Sequence, residues 1–463
     1  MGVVGPDEPR YAAIGQSMAR SGDWITPTLW GHPWFEKPPL LYWLTAAGNL
    51  AGLGPDLAPR LPVALLSLAF LALLWWQLQA AWDKRVATYA AVFCATSAGW
   101  LTYSRVGVTD LPMSAFFTAA VLSSLGWVAE AKESGKDRNR LWIPAACLGI
   151  AALGKALVPL ALFLPIPAIG IFHGGWRRLL DWLRPAPVIA FAFTALPWYS
   201  LCTARNGSEF LRVLFVEQQF NRLHSTALQH VQPWWFYLPV LLLLLFPWFP
   251  LLGGLPGGLR PLRRDARVQA LAGVVIFGML LFSAALNKLP GYVLPLVPSL
   301  CILMALATTA GEAGGATGAG RLDSGSTLRV AAVTALIGLF PAMTQVVPAA
   351  LGHGFRAAAI PWGLAALGVA LAAAAGLGIA RRFGQRSVTA VAMLAAAGFL
   401  WFEASALPSL DQAASARPSW LANHAECGPA GASRNLLYGL YYYAGKQLAD
   451  CAVLDLNIRP VVR

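Results

Sequence analysis

The sequence predicts an all-α polytopic membrane protein, and its composition and tryptophan content both support that fold class. Of its 463 residues, 57% are hydrophobic and 12% are charged, whereas a soluble domain carries about 25% charged residues. The 19 tryptophans agree, because tryptophan favours the membrane interface. The net charge of +13 does not indicate nucleic-acid binding, since no basic run with interleaved aromatic residues stands on a polar domain.

Two short helices are predicted before the first span. Residues from Tyr11 to Arg20 have a helical period, with Tyr11, Ile14 and Met18 on one face, but they are too polar to cross a membrane. The segment from Leu40 to Leu53 is apolar but short, whereas a span needs about 20 residues. We expect both helices to lie flat at the membrane surface.

About twelve apolar segments follow, and each is predicted to span the membrane. They are Leu61–Ala81, Val86–Ser104, Leu111–Ala131, Leu141–Leu153, Ala156–Phe172, Pro187–Ala204, Pro233–Gly253, Val268–Leu286, Gly291–Thr309, Leu328–Pro348, Ala358–Ala380 and Ser387–Glu403.

Every second loop between these segments is basic, which predicts which loops face the cytoplasm. The basic loops are Lys84-Arg85, Lys132–Arg140, Gly174–Arg184, Arg260–Arg267, Arg321–Arg329 and Arg381–Arg386. The alternation holds only if Leu40–Leu53 does not cross. Charged residues that are far apart in sequence then share the outer face, namely Asp7, Glu36, Lys37, Asp110, Lys155, Arg222 and Lys288.

Three regions are therefore predicted: residues 1–60 as an outer loop with interfacial helices, 61–404 as the transmembrane domain, and 405–463 as a small outer α/β domain. In the tail, Leu436–Gly445 is predicted to be a strand or a buried helix. The tail also holds Cys427 and Cys451, on the side where disulfides form. We expect a bridge between them, and two unpaired thiols packed in a small core are the alternative.

Several motifs resemble those of bacterial C-type (GT-C) glycosyltransferases, in particular the aminoarabinose lipid A transferase and protein O-mannosyltransferase-like family. The resemblance begins with Asp7-Glu-Pro-Arg-Tyr-Ala12, Ser21-Gly-Asp-Trp24 and Phe35-Glu-Lys-Pro-Pro-Leu-Leu-Tyr-Trp43. It continues through Arg105–Pro112, Gly154-Lys155, Phe215–Arg222 and Asn287–Pro295. Relatives carry a complete transmembrane helix before the first motif, so we expect either an upstream start or a truncated chain. With that helix the fold would have about thirteen spans.

The resemblance implies a sugar transfer from a polyprenyl (undecaprenyl) phosphate donor to an envelope acceptor such as lipid A, with inversion. It places the catalytic aspartate at Asp7 as a general base. Asp110 is its expected partner, and Glu8 is a further catalytic candidate. Helix capping is the alternative explanation for these acids.

Cations must meet the lipid phosphate. The substrate-binding candidates are Lys37, Arg222, Lys288, Tyr292, Lys155 and Arg10. Snorkelling from an interfacial helix is the alternative for Lys37. Glu36 is a candidate ligand for a divalent metal ion, with His224 as the nearest second ligand by residue type. No other cofactor is expected.

Two other classes of function compete with this interpretation. A transporter or lipid flippase would show charged or broken helices near the midplane and related halves, and neither is apparent. A structural membrane protein would not need acids and lysines gathered on one rim. We expect the partners to be the donor, a lipid or glycan acceptor and membrane lipids, with no nucleic acid, and the protein to be monomeric in the bacterial inner membrane with a periplasmic site.

Overall fold

A computed structural model describes residues 1–130, 138–220, 231–314, 324–354, 358–384, 387–423, 427–429, 431–449 and 451. These residues are mostly helical, with one two-stranded antiparallel hairpin near the amino terminus. The predicted all-α membrane fold is confirmed.

The outer segment before the first span contains two helices and the hairpin. Helix α1 (Asp7–Ser21) ends where Gly22 adopts φ 71° and donates its N–H to the Met18 carbonyl. Strands β1 (Thr28–Leu29) and β2 (His32–Pro33) form the hairpin, and α2 (Leu40–Leu50) follows Pro39. With 11 residues, α2 is too short to cross a bilayer, as the sequence predicts.

The helices after α2 form a bundle. They are α3 (Leu61–Ala81), α4 (Lys84–Ala95), α5 (Ala98–Tyr103), α6 (Asp110–Ala129), α7 (Trp142–Lys155), α8 (Val158–Phe163), α9 (Pro165–Gly174), α10 (Pro185–Leu211), α11 (Tyr237–Leu244), α12 (Leu255–Gly258), α13 (Ala266–Ala284), α14 (Val297–Gly314), α15 (Ser324–Ile337), α16 (Phe340–His353), α17 (Trp362–Phe383), α18 (Ser387–Ala414), α19 (Arg417–Asn423) and α20 (Arg434–Ala444). Among the described residues, seven helices are long and apolar enough to cross a membrane, or up to nine if each of two bent helix pairs is one span.

Three of the twelve predicted spans, all within the described residues, do not form a helix long enough to be counted, and two others are the bent pairs. Predicted span Val86–Ser104 is divided between α4 and α5, and the N–H of Ala98 at the break donates to the Phe246 carbonyl at 2.8 Å. Predicted span Leu141–Leu153 corresponds to α7, which has 14 residues. Predicted span Ala156–Phe172 corresponds to α8 and α9, which together make a short apolar helical stretch from Val158 to Gly174. A transmembrane helix needs about 20 residues.

Buried tryptophans mark the core of the bundle, and their polar edges are satisfied. The indole N–H of Trp100 donates to the Ser67 hydroxyl at 2.9 Å, and that of Trp248 donates to Thr96 at 2.9 Å. A large ring can therefore be buried without leaving an unpaired donor.

Loops predicted to be cytoplasmic meet one another at one end of the bundle. Arg267 lies over the Trp82 ring at 4.4 Å and donates to the Ala81 carbonyl. Arg138 pairs with Asp181 at 3.0 Å. Each contact joins two basic loops that the charge alternation assigns to the same side.

Segments predicted to be outside also contact each other. Asp23 of the outer segment pairs with Arg205 of α10 at 3.0 Å, and Arg105 pairs with Glu403 of α18. The sorting of the loops into two sets thus agrees with the contacts in the fold.

In the described part of the carboxyl-terminal tail, α19 and α20 are helices, and α20 docks on the outer segment. The Tyr442 hydroxyl donates to the Pro55 carbonyl at 2.7 Å, and the Tyr443 hydroxyl donates to Asp56 at 2.6 Å. Of the two structures predicted for Leu436–Gly445, a strand or a helix, the helix is the one observed. Its tyrosines pack against residues from the start of the chain.

The predicted domain boundary at Ser405 falls inside α18, which runs on to Ala414. Beyond it, Cys427 and Cys451 form the disulfide that the sequence predicts, with Cα atoms 5.0 Å apart. Gly428 adds a backbone pairing, accepting from the Cys451 N–H at 3.0 Å. The disulfide joins the residues before α20 to those after it.

Candidate active site

Asp7 lies at the start of α1, where its carboxylate is partly open to solvent. Its side chain is 40% exposed, and Arg10, one turn further along the helix, donates to it. Acids are stabilised at a helix amino terminus by the helix dipole. The Asp7 carboxylate is therefore held by Arg10 at a place that a substrate can reach.

Arg10 connects Asp7 to the second acidic motif. Its guanidinium donates to Glu36 at 3.1 Å, and Glu36 lies 3.4 Å from the Lys37 ammonium. Burial by itself lowers the pKa of Arg10, but the negative charges of Glu36 and Asp7 outweigh this and raise the pKa. Arg10 thus stays cationic between two carboxylates.

Two buried tyrosines lie beneath this network. Tyr11 and Tyr42 have ring centroids 5.9 Å apart. Burial first, and then the charge of Glu36, raise the pKa of each phenol well above its ordinary value. Both phenols therefore stay neutral, and the Tyr11 ring lies 5.9 Å from the Arg10 guanidinium.

A second acid–base pair lies at the start of α6. Asp110 accepts a hydrogen bond from the Lys155 ammonium at 2.7 Å, and that ammonium lies 4.7 Å from the centroid of the Tyr292 ring. Gly291 is required beside it, because a Cβ there would lie 2.3 Å from the Asp110 carboxylate. The predicted residues Asp110, Lys155 and Tyr292 are thus brought together from three separate regions of the chain.

The motifs that carry Asp7 and Asp110 are in direct contact. Glu8, the residue after Asp7, accepts a hydrogen bond at 2.8 Å from the N–H of Gly107, three residues before Asp110. A shared role of Asp7 and Asp110 in catalysis stays a prediction.

Glu8, the third catalytic candidate, lies elsewhere. It is fully buried, and its carboxylate accepts from Arg60 at 2.6 Å, from the Val4 N–H at 2.7 Å and from the Gly107 N–H at 2.8 Å. A catalytic group must reach the reacting atoms, and Glu8 has no exposed surface. The geometry corrects the prediction, because Glu8 clamps the first motif to the loop that carries Asp110.

The predicted phosphate-binding cations occupy different environments. Lys37 is buried beside Glu36 on the rim. Lys288 donates to the carbonyls of Gln232 (3.0 Å) and Ala285, and burial lowers its pKa. Two of the three donors of Lys288 are therefore used to hold its own loop. Arg222 lies outside the described residues, as does His224.

Glu36, the proposed metal ligand, already forms ion pairs with other residues. Arg10 and Lys37 are its ion-pair partners, and the described part of the chain has no group of three or more His, Cys, Asp or Glu side chains placed to hold a metal ion. Metal binding at Glu36 stays a prediction.

Sequence reasoning missed three residues at this site. Arg60 pairs with buried Glu8, and it was visible in the sequence only as a lone basic residue before the first span. The rings of Trp34 and Tyr438 lie 5.7 and 5.8 Å from the Arg10 guanidinium. Tyr438 comes from α20, and no local pattern could have shown that the tail reaches the site.

Residues 2–206 match the family described as dolichyl-phosphate-mannose-protein mannosyltransferase. Among similar proteins are the undecaprenyl phosphate-alpha-4-amino-4-deoxy-L-arabinose arabinosyl transferases of Edwardsiella ictaluri, 34% identical over 312 residues, and of Pseudomonas aeruginosa strain UCBPP-PA14, 33% identical over 317 residues. Each match covers 65% of this chain and 54% of the relative. The chain therefore spans about half the length of these curated relatives.

The fold is similar to that of ArnT from Cupriavidus metallidurans. The crystal structure of that protein bound to undecaprenyl phosphate superposes with a TM-score of 0.74 at 22% sequence identity, covering 97% of this chain and 82% of ArnT. Its apo structure gives a TM-score of 0.68. The resemblance to GT-C glycosyltransferases that the motifs predict is confirmed, in sequence by the relatives and in fold by ArnT.

Proposed function

We propose that this protein is an integral membrane glycosyltransferase that moves a sugar from a polyprenyl phosphate donor to an envelope acceptor. The observation that carries the proposal is the partly exposed Asp7 carboxylate, braced by the buried Arg10–Glu36–Lys37 network. The Asp110–Lys155 pair on the same rim supports it. The names of the relatives and the lipid bound to ArnT support this donor class.

In the proposed reaction Asp7 accepts the proton of an acceptor hydroxyl or protonated phosphate. The acceptor oxygen then forms a bond to the anomeric carbon while the bond from that carbon to the lipid phosphate oxygen breaks, with inversion. The lipid phosphate leaves with the bonding electron pair. Arg10 holds the Asp7 carboxylate in place, and Asp110, held by Lys155, steadies the acceptor.

The departing phosphate gains charge, and a cation on the rim stabilises it. Lys37 is the best candidate among the described residues, because it lies in the same network as Asp7. Lys288 is a further candidate cation for the phosphate. Tyr292 would add a neutral hydrogen-bond donor to the phosphate.

The proposed location is the bacterial inner membrane, with this rim in the periplasm. The contacts among the basic loops at the opposite end of the bundle support that orientation. The acceptor to test first is lipid A, and the donor to test first is undecaprenyl phosphate-aminoarabinose, the substrate in the relatives' names. The acceptor could equally be another lipid, a polysaccharide or a protein, because Asp7 would accept the proton of its hydroxyl group in the same way.

The first prediction is that Asp7→Asn abolishes transfer without loss of folding, because the amide keeps the shape but cannot accept the proton. Purified variants are assayed with the lipid-linked donor and lipid A, with product detected by mass spectrometry. Asp23→Asn is the matched control, since Asp23 has a similarly exposed side chain (36%) and also pairs with an arginine. Wild-type turnover in Asp7→Asn would remove Asp7 from the mechanism.

A further inference from the structure

The carboxyl-terminal helix contributes a ring to the site at the other end of the chain. The Arg10 guanidinium lies within 6 Å of three aromatic ring centroids: Trp34 at 5.7 Å, Tyr438 at 5.8 Å and Tyr11 at 5.9 Å. These are distances at which a cation is attracted to a ring face. Trp34 and Tyr11 belong to the outer segment, whereas Tyr438 belongs to α20.

Tyr438 is fixed in place from two directions. On one side α20 is anchored to the outer segment through the hydroxyls of Tyr442 and Tyr443. On the other side the Tyr438 ring contacts Trp30, with centroids 5.4 Å apart. Trp30 lies in the tight hairpin turn with φ 50°, followed by Gly31 at φ 90°, a geometry typical of two-residue turns between antiparallel strands.

Arg10 depends on such a neighbour because of what it does. It bridges Asp7 and Glu36 while its own side chain is only 16% exposed. A long side chain that must serve two carboxylates loses precision when water and other rotamers become accessible to it. A ring beside the guanidinium restricts the access of water and the number of side-chain rotamers.

We infer that Tyr438 is a positioning residue for the proposed reaction, holding Arg10 in the orientation that braces the Asp7 carboxylate. The tail is then part of the active site. This inference rests on the proposed function, since it assigns to Tyr438 an effect on the step at Asp7.

Tyr441 is a matched control on the same helix. Its ring also contacts Trp30, with centroids 5.2 Å apart, and Tyr438 itself, with centroids 6.4 Å apart. Removing the Tyr441 ring leaves in place the Tyr438 ring that lies over the Arg10 guanidinium at 5.8 Å. General packing of α20 on the hairpin would be lost to a similar degree in Tyr438→Ala and Tyr441→Ala. Positioning of Arg10 would be lost only in Tyr438→Ala.

The experiment measures steady-state transfer by Tyr438→Ala, Tyr438→Phe and Tyr441→Ala, each in the wild-type and the Arg10→Lys background. We expect Tyr438→Ala to lower kcat about tenfold with the donor KM changed less than about twofold, and Tyr438→Phe to restore activity because the ring remains. In the Arg10→Lys background Tyr438→Ala should add less than about twofold, since the two residues act as one unit. Full additivity, or an equal loss in Tyr441→Ala, would overturn the inference.

A second readout does not depend on activity. Phenylglyoxal, which modifies accessible guanidinium groups, is applied to the folded full-length proteins, and the peptide containing Arg10 is followed by mass spectrometry. Faster labelling of Arg10 in Tyr438→Ala than in wild type or Tyr441→Ala is expected, and unchanged labelling would overturn the inference. If labelling responds as expected but the wild-type protein transfers no sugar, the proposed function fails while the contact between Tyr438 and Arg10 stands.

Discussion

At the residue scale, each of the acids Asp7, Glu36 and Asp110 lies beside at least one cation, and Arg10 is shared by two of them. Asp7 has Arg10, Glu36 has Arg10 and Lys37, and Asp110 has Lys155. These residues were predictable from their motifs and from their common side of the membrane. Which acid pairs with which cation was not predictable from the sequence, because side-chain pairing depends on helix rotation and on the approach of distant loops. For the same reason the sequence could not separate reachable Asp7 from buried Glu8.

The prediction at this scale concerns Lys37. Replacing it by alanine should raise the donor KM roughly tenfold or more, since a hydrogen bond to a charged group contributes about 1.5–3 kcal/mol. Lys37→Arg keeps the positive charge and should raise the donor KM less. Initial rates over a range of donor concentrations give the values. Lys84→Ala, at the opposite end of the bundle, is the control. An unaltered donor KM in Lys37→Ala would indicate a lysine that only snorkels.

At the scale of elements, a buried clamp joins the outer segment to the bundle. Glu8 of α1 binds Arg60, the residue before α3, and the Gly107 N–H in the loop before α6. The apolar segments themselves were predictable, because hydrophobicity and length are local properties. The breaks inside them were not, since the break before α5 is stabilised by a carbonyl from Phe246, far along the chain.

Loss of this clamp should destabilise the fold. Glu8→Ala leaves the Arg60 guanidinium buried without its carboxylate, and breaking a buried pair in this way costs about 3–5 kcal/mol. Thermal unfolding in detergent should show a clearly lower Tm. Glu217→Ala is the comparison, because the Glu217–Arg212 pair is exposed (39% and 61%) and such pairs contribute about 0–1 kcal/mol. Equal Tm values for the two variants would show that the clamp contributes little.

At the scale of the whole molecule, the alternation of basic loops predicted two ends of a bundle, and the contacts in the fold separate the same two ends. Arg267 with Trp82 marks one end, and Asp23 with Arg205 marks the other. The docking of the tail was beyond sequence reasoning. It depends on tyrosines that meet Pro55 and Asp56 across almost the entire chain, and no periodicity or charge pattern encodes a contact over that separation.

The last prediction tests the orientation of this bundle. Because Tyr442 and Tyr443 bond to the segment that carries the site, the tail and the site must lie on one side of the membrane. The positive-inside rule predicts that the basic loops at the opposite end face the cytoplasm. Topology reporters fused after Arg85 and after Arg267 should report cytoplasm, and a reporter fused after Gly445 should report periplasm. A periplasmic signal after Arg85 would mean that the segment containing α2 crosses the bilayer, and Asp7 and Asp110 would then no longer share a face. That outcome would remove the geometric basis of the proposed site, whereas a cytoplasmic signal after Arg85 with a periplasmic signal after Gly445 would support it.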